Sequence, residues 1–397
     1  MGSLSLPQNS LKGLKVRMTV RELHPETAEL LLRIFHGQKT AWPQPGAPLE
    51  DVFFQDVVSQ GMAPLLYRRL AAERERAASR PQSLFLRLKE TALRQAAVEL
   101  LLESDLCQLL TSFAAVGVAP LLLKGTPLSY TLYPEPGLRP RCDTDLLIPE
   151  KDREKTAALL KKTGYFPLYE ARADYINSQM SYTKKTVQGI TCRYDIHWRI
   201  SNCNRGFSRE FTDGKIFEQA EAIPALGENA RTLSRVNALI FACFHRAGHF
   251  SHSGDRLIWL YDIHLLCQAL NEQETAAFLR RVKELNIIAL CADAIAVTRS
   301  WFNTLLSPNI EALLQEAPEE EASALLLGAN RREGIRRHTF LELKGLSTWR
   351  ERLLYILQNL FPPPRFMLWR YHQKKRIVLP WLYTRRLLEG LLIVVRK

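Results

Sequence analysis

Asp143 and Asp145 stand two residues apart in "RCDTDLLIP", and the apolar run Leu146, Leu147, Ile148 follows them. On an extended strand, residues two apart share a face. Both carboxylates therefore point the same way, at a cost in repulsion that burial increases. A divalent cation removes that cost. Mg2+ takes oxygen ligands, is commonly held by one or two carboxylates, and completes its shell with water and substrate phosphates. A third acid, Asp195 in "RYDIHWRI", lies in another apolar-flanked segment. Three carboxylates brought to one sheet face would suit a two-metal site, in which one metal activates an attacking hydroxyl and the other steadies the leaving phosphate oxygens. An Asp-x-Asp pair alone also caps turns or faces water. The pair gains weight from Lys124–Gly125 after the apolar "LLL", because glycine lets backbone approach a phosphate and lysine can pair with it.

Other side chains are ambiguous. Arg139 and Arg141 flank the aspartates, and either could meet phosphate oxygens bidentately; Arg139 is the stronger candidate, and the alternative is a solvent-facing strand end. His197, two residues after Asp195, shares its face and could contact phosphate, tune the aspartate, or pack as a core histidine. Trp198 points the other way and reads as core. His245 and His249 are spaced i, i+4, with His252 and Asp262 beyond, a spacing that can bind zinc. No Glu follows the first histidine, so the HExxH pattern is absent, and a polar helix face bordering the cleft is preferred. Asp262, inside the apolar "WLYDIHLL", is an acid for either a nucleotide base or a helix end.

These residues need elements to hold them. Residues 21–117 read as helices from their three- and four-residue apolar spacing, with Gly117 as a stop. The period then changes. "APLLLKG" and "RCDTDLLIP" read as strands, "TPLSYTLYP" as about two helical turns, and "EPGLRP" as a loop. "EKDREKTAALLKKTGY" is an amphipathic helix closed by Gly164, and "QG" joins two further strand candidates in a hairpin. The expected architecture is α+β. A small mixed-sheet core over 118–205 lies between a helical region (21–117) and a helical domain (206–330). A loosely ordered stretch (1–20) precedes them, and a basic aromatic helical tail (331–397) follows.

The chain has 397 residues, 46% hydrophobic and 24% charged, enough for two or three domains with a sizeable core. Its seven scattered cysteines form no CxxC pair, which argues against a disulfide framework or a cysteine zinc site and for a reducing, cytoplasmic setting. The first residues lack a signal-peptide pattern. Of the net charge of +13, residues 331–397 carry +12, from 16 Lys and Arg against four Glu and no Asp. The excess belongs to a tail that interleaves Trp369, Tyr371, Trp381 and Tyr383 with basic residues. Packed amphipathic helices are the first reading of that tail, and weak contact with an anionic surface, peripheral to the inner membrane, is the second. No nucleic-acid module is legible.

Taken together, "LLLKG", "YPEPGLRPRCDTDLLI" and "YDIHWRI" resemble the nucleotidyltransferase superfamily of the DNA polymerase β type. More narrowly, they resemble a poorly characterised bacterial family within it. The resemblance rests on Lys124 and Gly125, Tyr133 and Pro134, Arg139, Asp143 and Asp145, and then Asp195, His197 and Trp198; "HRAGHFSHSGDRLIWLYDIHLL" extends it into the later helices. It implies a nucleotidyltransferase core sheet on which Asp143, Asp145 and Asp195 are catalytic and hold Mg2+, with Mn2+ as a substitute. Lys124, Gly125, Arg139 and His197 would bind the NTP, ATP among the candidates. The superfamily usually has Gly-Ser after its first strand, where this chain has Lys-Gly and a longer stretch before Asp143. The acceptor is open: a small molecule or protein hydroxyl is preferred. The alternatives are a non-catalytic nucleotide-binding subunit of a membrane-associated polysaccharide synthesis system, or a toxin that modifies tRNA.

Overall fold

The structure, a computed structural model, describes residues 20, 23–38, 42–72, 81–168, 178–200, 211, 215–316, 339–340, 343–344, 346, 348–373 and 375–395. The side chains of 249–253 and 391–395 lie outside that description, and so do the first nineteen residues, most of the acidic stretch "QEAPEEEAS" and the start of the tail.

The change of period near residue 118 is where helix gives way to sheet. Before it come α1 (Pro25–Phe35), α2 (Pro48–Ser59), α3 (Ala63–Ala72) and the long α4 (Gln82–Ala115). No Gly or Pro interrupts α4, and Gly117, at φ +69°, turns the chain out of it. The core then runs β1 (Leu121–Leu123), α5 (Gly125–Thr131), β2 (Thr144–Leu147), α6 (Arg153–Lys162), β3 (Phe166–Pro167), β4 (Gln179–Lys185) and β5 (Thr191–His197). After α7 (Lys215–Glu218), the short β6 (Glu221–Ala222) and β7 (Arg231–Thr232) return to the same sheet. The sheet therefore extends past residue 205. Its order is β3-β4-β5-β2-β1-β7-β6. β2 lies antiparallel to β1 and parallel to β5, and β1 is parallel to β7. The mixed sheet with flanking helices agrees with the α+β expectation.

Alternation along the strands divides the sheet into two faces. Leu122, Leu146, Tyr194 and Ile196 pack against α4 and α6. On that side Asp105 of α4 is buried but satisfied: it accepts from the Tyr165 and Tyr194 hydroxyls at 2.5 and 2.9 Å and pairs with Lys184 Nζ at 2.6 Å. Leu121, Leu123 and Leu147 face the other way, into the larger core of the helical domain. That domain comprises α8 (Arg235–Ser253), α9 (Leu257–Ala269), α10 (Glu272–Glu284), α11 (Ile288–Phe302) and α12 (Pro308–Glu316). Its buried Arg246 pairs with Asp255 at 2.7 Å and Asp293 at 2.5 Å.

The tail forms α13 (Trp349–Leu360), α14 (Pro364–Arg370) and α15 (Leu379–Val395). Pro363, Pro364 and Leu379 line a cavity of about 650 Å3 together with Met180, Tyr182 and Trp198 of the body. The tail still exposes Trp349, Ile377 and Trp381. Among the described residues, no helix is long and apolar enough to cross a membrane.

Candidate active site

The parallel pairing of β2 with β5 sets Asp145 directly beside Asp195. Asp143 precedes β2 by one residue and Asp145 by two, and all three carboxylates line a cavity of about 740 Å3 between the sheet and the helical domain. Donor atoms of Asp145, Asp195 and His197 lie within 4.8 Å of one another. His197 Nε2 donates to Asp145 Oδ1 at 2.8 Å, and its Nδ1 is buried without a hydrogen-bond partner. Lys124 Nζ pairs with the same Oδ1 of Asp145. Asp195 is oriented from β4, accepting from Ser181 Oγ at 2.5 Å and Gln179 Nε2 at 3.2 Å. Trp198 faces away and carries the Arg153 guanidinium 3.9 Å above its ring.

The charges here are strongly coupled. Burial alone would raise the Asp145 carboxyl, but the Lys124 ammonium and the His197 hydrogen bond outweigh it and hold the group below the usual carboxylate range. Asp143 goes the other way: burial, and then the Asp145 charge, push it up. Burial opposes the Lys124 charge, yet Asp145, with Asp143 and Asp195 behind it, raises this lysine above its ordinary value. Asp145 and Asp195, with Asp143 lining the same cavity, offer carboxylate oxygens of the kind a hard divalent cation takes. Mg2+ fits these residues.

Two buried arginine pairs hold the Asp-x-Asp segment. Arg139 Nη2 and Nε donate to Asp262 of α9 at 2.7 and 3.3 Å, and Nη1 donates to the Pro140 carbonyl at 3.2 Å. Tyr133 donates its hydroxyl to the same aspartate at 2.7 Å. The guanidinium lies flat on Gly125, where a Cβ would come within 1.9 Å of Arg139 Cζ. Arg141 meets both oxygens of Glu99 on α4 at 3.0 Å, and Tyr130 donates to Glu99 at 2.7 Å. Arg139 and Arg141 thus each pair with a helix carboxylate, and each also donates locally, to the Pro140 carbonyl and the Thr144 hydroxyl. Gly125 is needed for the approach of an arginine, whether or not a phosphate also approaches.

Asp262 lies within α9 and not at its end; it accepts from Arg139 and Tyr133 and also lines the cavity. His245 reaches the cavity wall beside Trp259, whereas the His249 and His252 side chains lie outside the described residues. Ser181 and Gln179 escaped the sequence reading, although their alternation in "QMSYT" placed both on one face. So did Arg193, which is exposed two residues before Asp195 and eases the charge on Asp143.

Residues 50–303 match the family described as uncharacterised nucleotidyltransferase. The chain belongs to that family. The matched stretch of this nucleotidyltransferase contains the sheet, the three aspartates and the α9 anchor. No curated relative matches the chain.

Proposed function

We propose that the protein is a Mg2+-dependent nucleotidyltransferase that moves a nucleoside monophosphate from an NTP to a hydroxyl of a small molecule or a protein. The observation that carries this reading is the side-by-side register of Asp145 and Asp195 on one sheet face, with Asp143 on the same cavity wall. Asp143, Asp145 and Asp195 would hold the metal, which when bound neutralises triphosphate charge and sharpens the attacking hydroxyl. Asp195, steadied by Ser181 and Gln179, takes the proton of the acceptor hydroxyl. The hydroxyl oxygen forms a bond to the α-phosphorus, the bond to the β-phosphate oxygen breaks, and pyrophosphate leaves. His197 keeps Asp145 in place through its Nε2–H. Lys124 supplies positive charge within the cavity, and exposed Arg193 supplies it towards Asp143.

Mass spectrometry of cell extract incubated with the protein and each labelled NTP tests this. A nucleotidylated product that requires Mg2+ and is absent with Asp143→Asn/Asp145→Asn supports the reading, and no product with any of four NTPs defeats it. The tail supports a second element of the proposal, contact with an anionic membrane surface. Its outer side exposes Trp349, Ile377 and Trp381 in a segment of net charge +12, a combination that favours an interface with acidic headgroups.

A further inference from the structure

Lys124 stands where its backbone costs most. At φ 58° and ψ −134° it occupies a region that side-chain-bearing residues avoid and glycine tolerates. The strand-to-helix corner between β1 and α5 forces this conformation, and Gly125 follows immediately. A glycine at 124 would be relaxed there, so the lysine side chain has a use that offsets the strain. Its ammonium pairs with Oδ1 of Asp145, the oxygen that also accepts from His197 Nε2. That carboxylate belongs with Asp195 and His197 to a cluster whose ligand atoms lie close enough together to hold a metal ion. A divalent cation and an ammonium cannot both sit against one carboxylate oxygen without strong like-charge repulsion. The lysine stem is a flexible four-carbon chain, about a quarter exposed, so the head can leave while the backbone stays.

We propose that Lys124 is an exchangeable counter-ion. Its ammonium balances the Asp143–Asp145–Asp195 cluster, yields Asp145 to an arriving divalent cation, and then pairs with the phosphates of the nucleotide that accompanies the metal. The site is thereby charge-balanced with or without substrate, and metal alone binds weakly because it must displace the lysine. The phosphate half of this proposal rests on the nucleotidyltransferase reading; the exchange half does not.

The test uses Mn2+ alone, by calorimetry and electron paramagnetic resonance, on the full chain and on Lys124→Met and Lys124→Gly. Both variants should bind Mn2+ at least about ten-fold more tightly than the parent, since no ammonium competes. In chelator Lys124→Met, which keeps the strained backbone but not the ammonium, should melt lower than the parent, and Mn2+ should raise the melting temperature of both variants more than the parent's. A non-hydrolysable ATP analogue at saturating Mn2+ should bind both variants at least about ten-fold more weakly. Equal or weaker Mn2+ binding by both variants overturns the exchange. Tighter Mn2+ binding with unchanged analogue affinity overturns the phosphate half. If no form binds the analogue while Mn2+ still tightens, the exchange stands and the nucleotidyltransferase reading fails. Should Lys124→Met not fold, Lys124→Gly carries the test, because its backbone suits the corner.

Discussion

Removing the carboxylate of Asp262 should destabilise the protein more than removing either carboxylate of the Asp-x-Asp pair. Asp262 is 4% exposed and Arg139 8% exposed, so water cannot rescue whichever partner is left alone. In Asp262→Ala the guanidinium keeps only the Pro140 carbonyl, and the Tyr133 hydroxyl loses its acceptor. Breaking a buried ion pair from one side costs about 3–5 kcal/mol, because a desolvated charge remains. At roughly 2 °C per kcal/mol for a cooperative unit of this size, the melting temperature should fall by about 6–10 °C. Replacing the whole set with apolar groups removes the stranded charge instead. The triple variant Asp262→Leu/Arg139→Met/Tyr133→Phe should recover most of the loss, since such replacements are often neutral. Differential scanning calorimetry, with circular dichroism to confirm folding, reads both. A fall under about 2 °C in the single variant, or a triple variant worse than the single, would refute the view that Asp262 is chiefly an anchor for Arg139.

Four further outcomes follow from the same geometry. Gly125→Ala forces the guanidinium off its seat and should mimic the Asp262 loss, read as a lowered melting temperature, whereas the more open Gly248 should tolerate alanine with little change. Asp195→Asn should cut nucleotide turnover by about 10²–10⁴, the usual worth of a positioned general base, while the fold measured by circular dichroism is kept. The folded-state pKa of Asp145 lies below its unfolded value, so its stabilisation is present above about pH 4 and is lost as pH falls through the folded pKa. Asp143 is shifted up, so Asp143→Asn should raise the neutral-pH melting temperature in chelator, and that gain should vanish in acid; melting curves across pH check both signs. Full-length protein should co-sediment with anionic liposomes and release as salt rises, and truncation before Arg331 should remove that binding; equal sedimentation of both forms would reject membrane contact.

Much of this site was legible in the order of residues. Period-two alternation is a local property of extended backbone, so Asp143 with Asp145, Asp195 with His197, and Trp198 on the far side could be assigned from spacing alone. Glycines closing α4 and α6, and the turn between β4 and β5, were equally local. The resemblance carried by Lys124–Gly125, the Asp-x-Asp pair and Asp-x-His-Trp pointed to the family that the match over residues 50–303 bears out. What sits opposite what is another matter. Asp145 meets Asp195 because β2 pairs with β5 in parallel and in register, an outcome of how the two faces bury their leucines and tyrosines. Arg139 finds Asp262 across 123 residues of chain. No local pattern distinguishes an arginine that waits for phosphate from one already paired, since both are flanked by the same neighbours. Only the packing of α9 and α4 against the core decides it, because a buried guanidinium must take the nearest carboxylate or leave its charge unpaired in a poorly solvated interior.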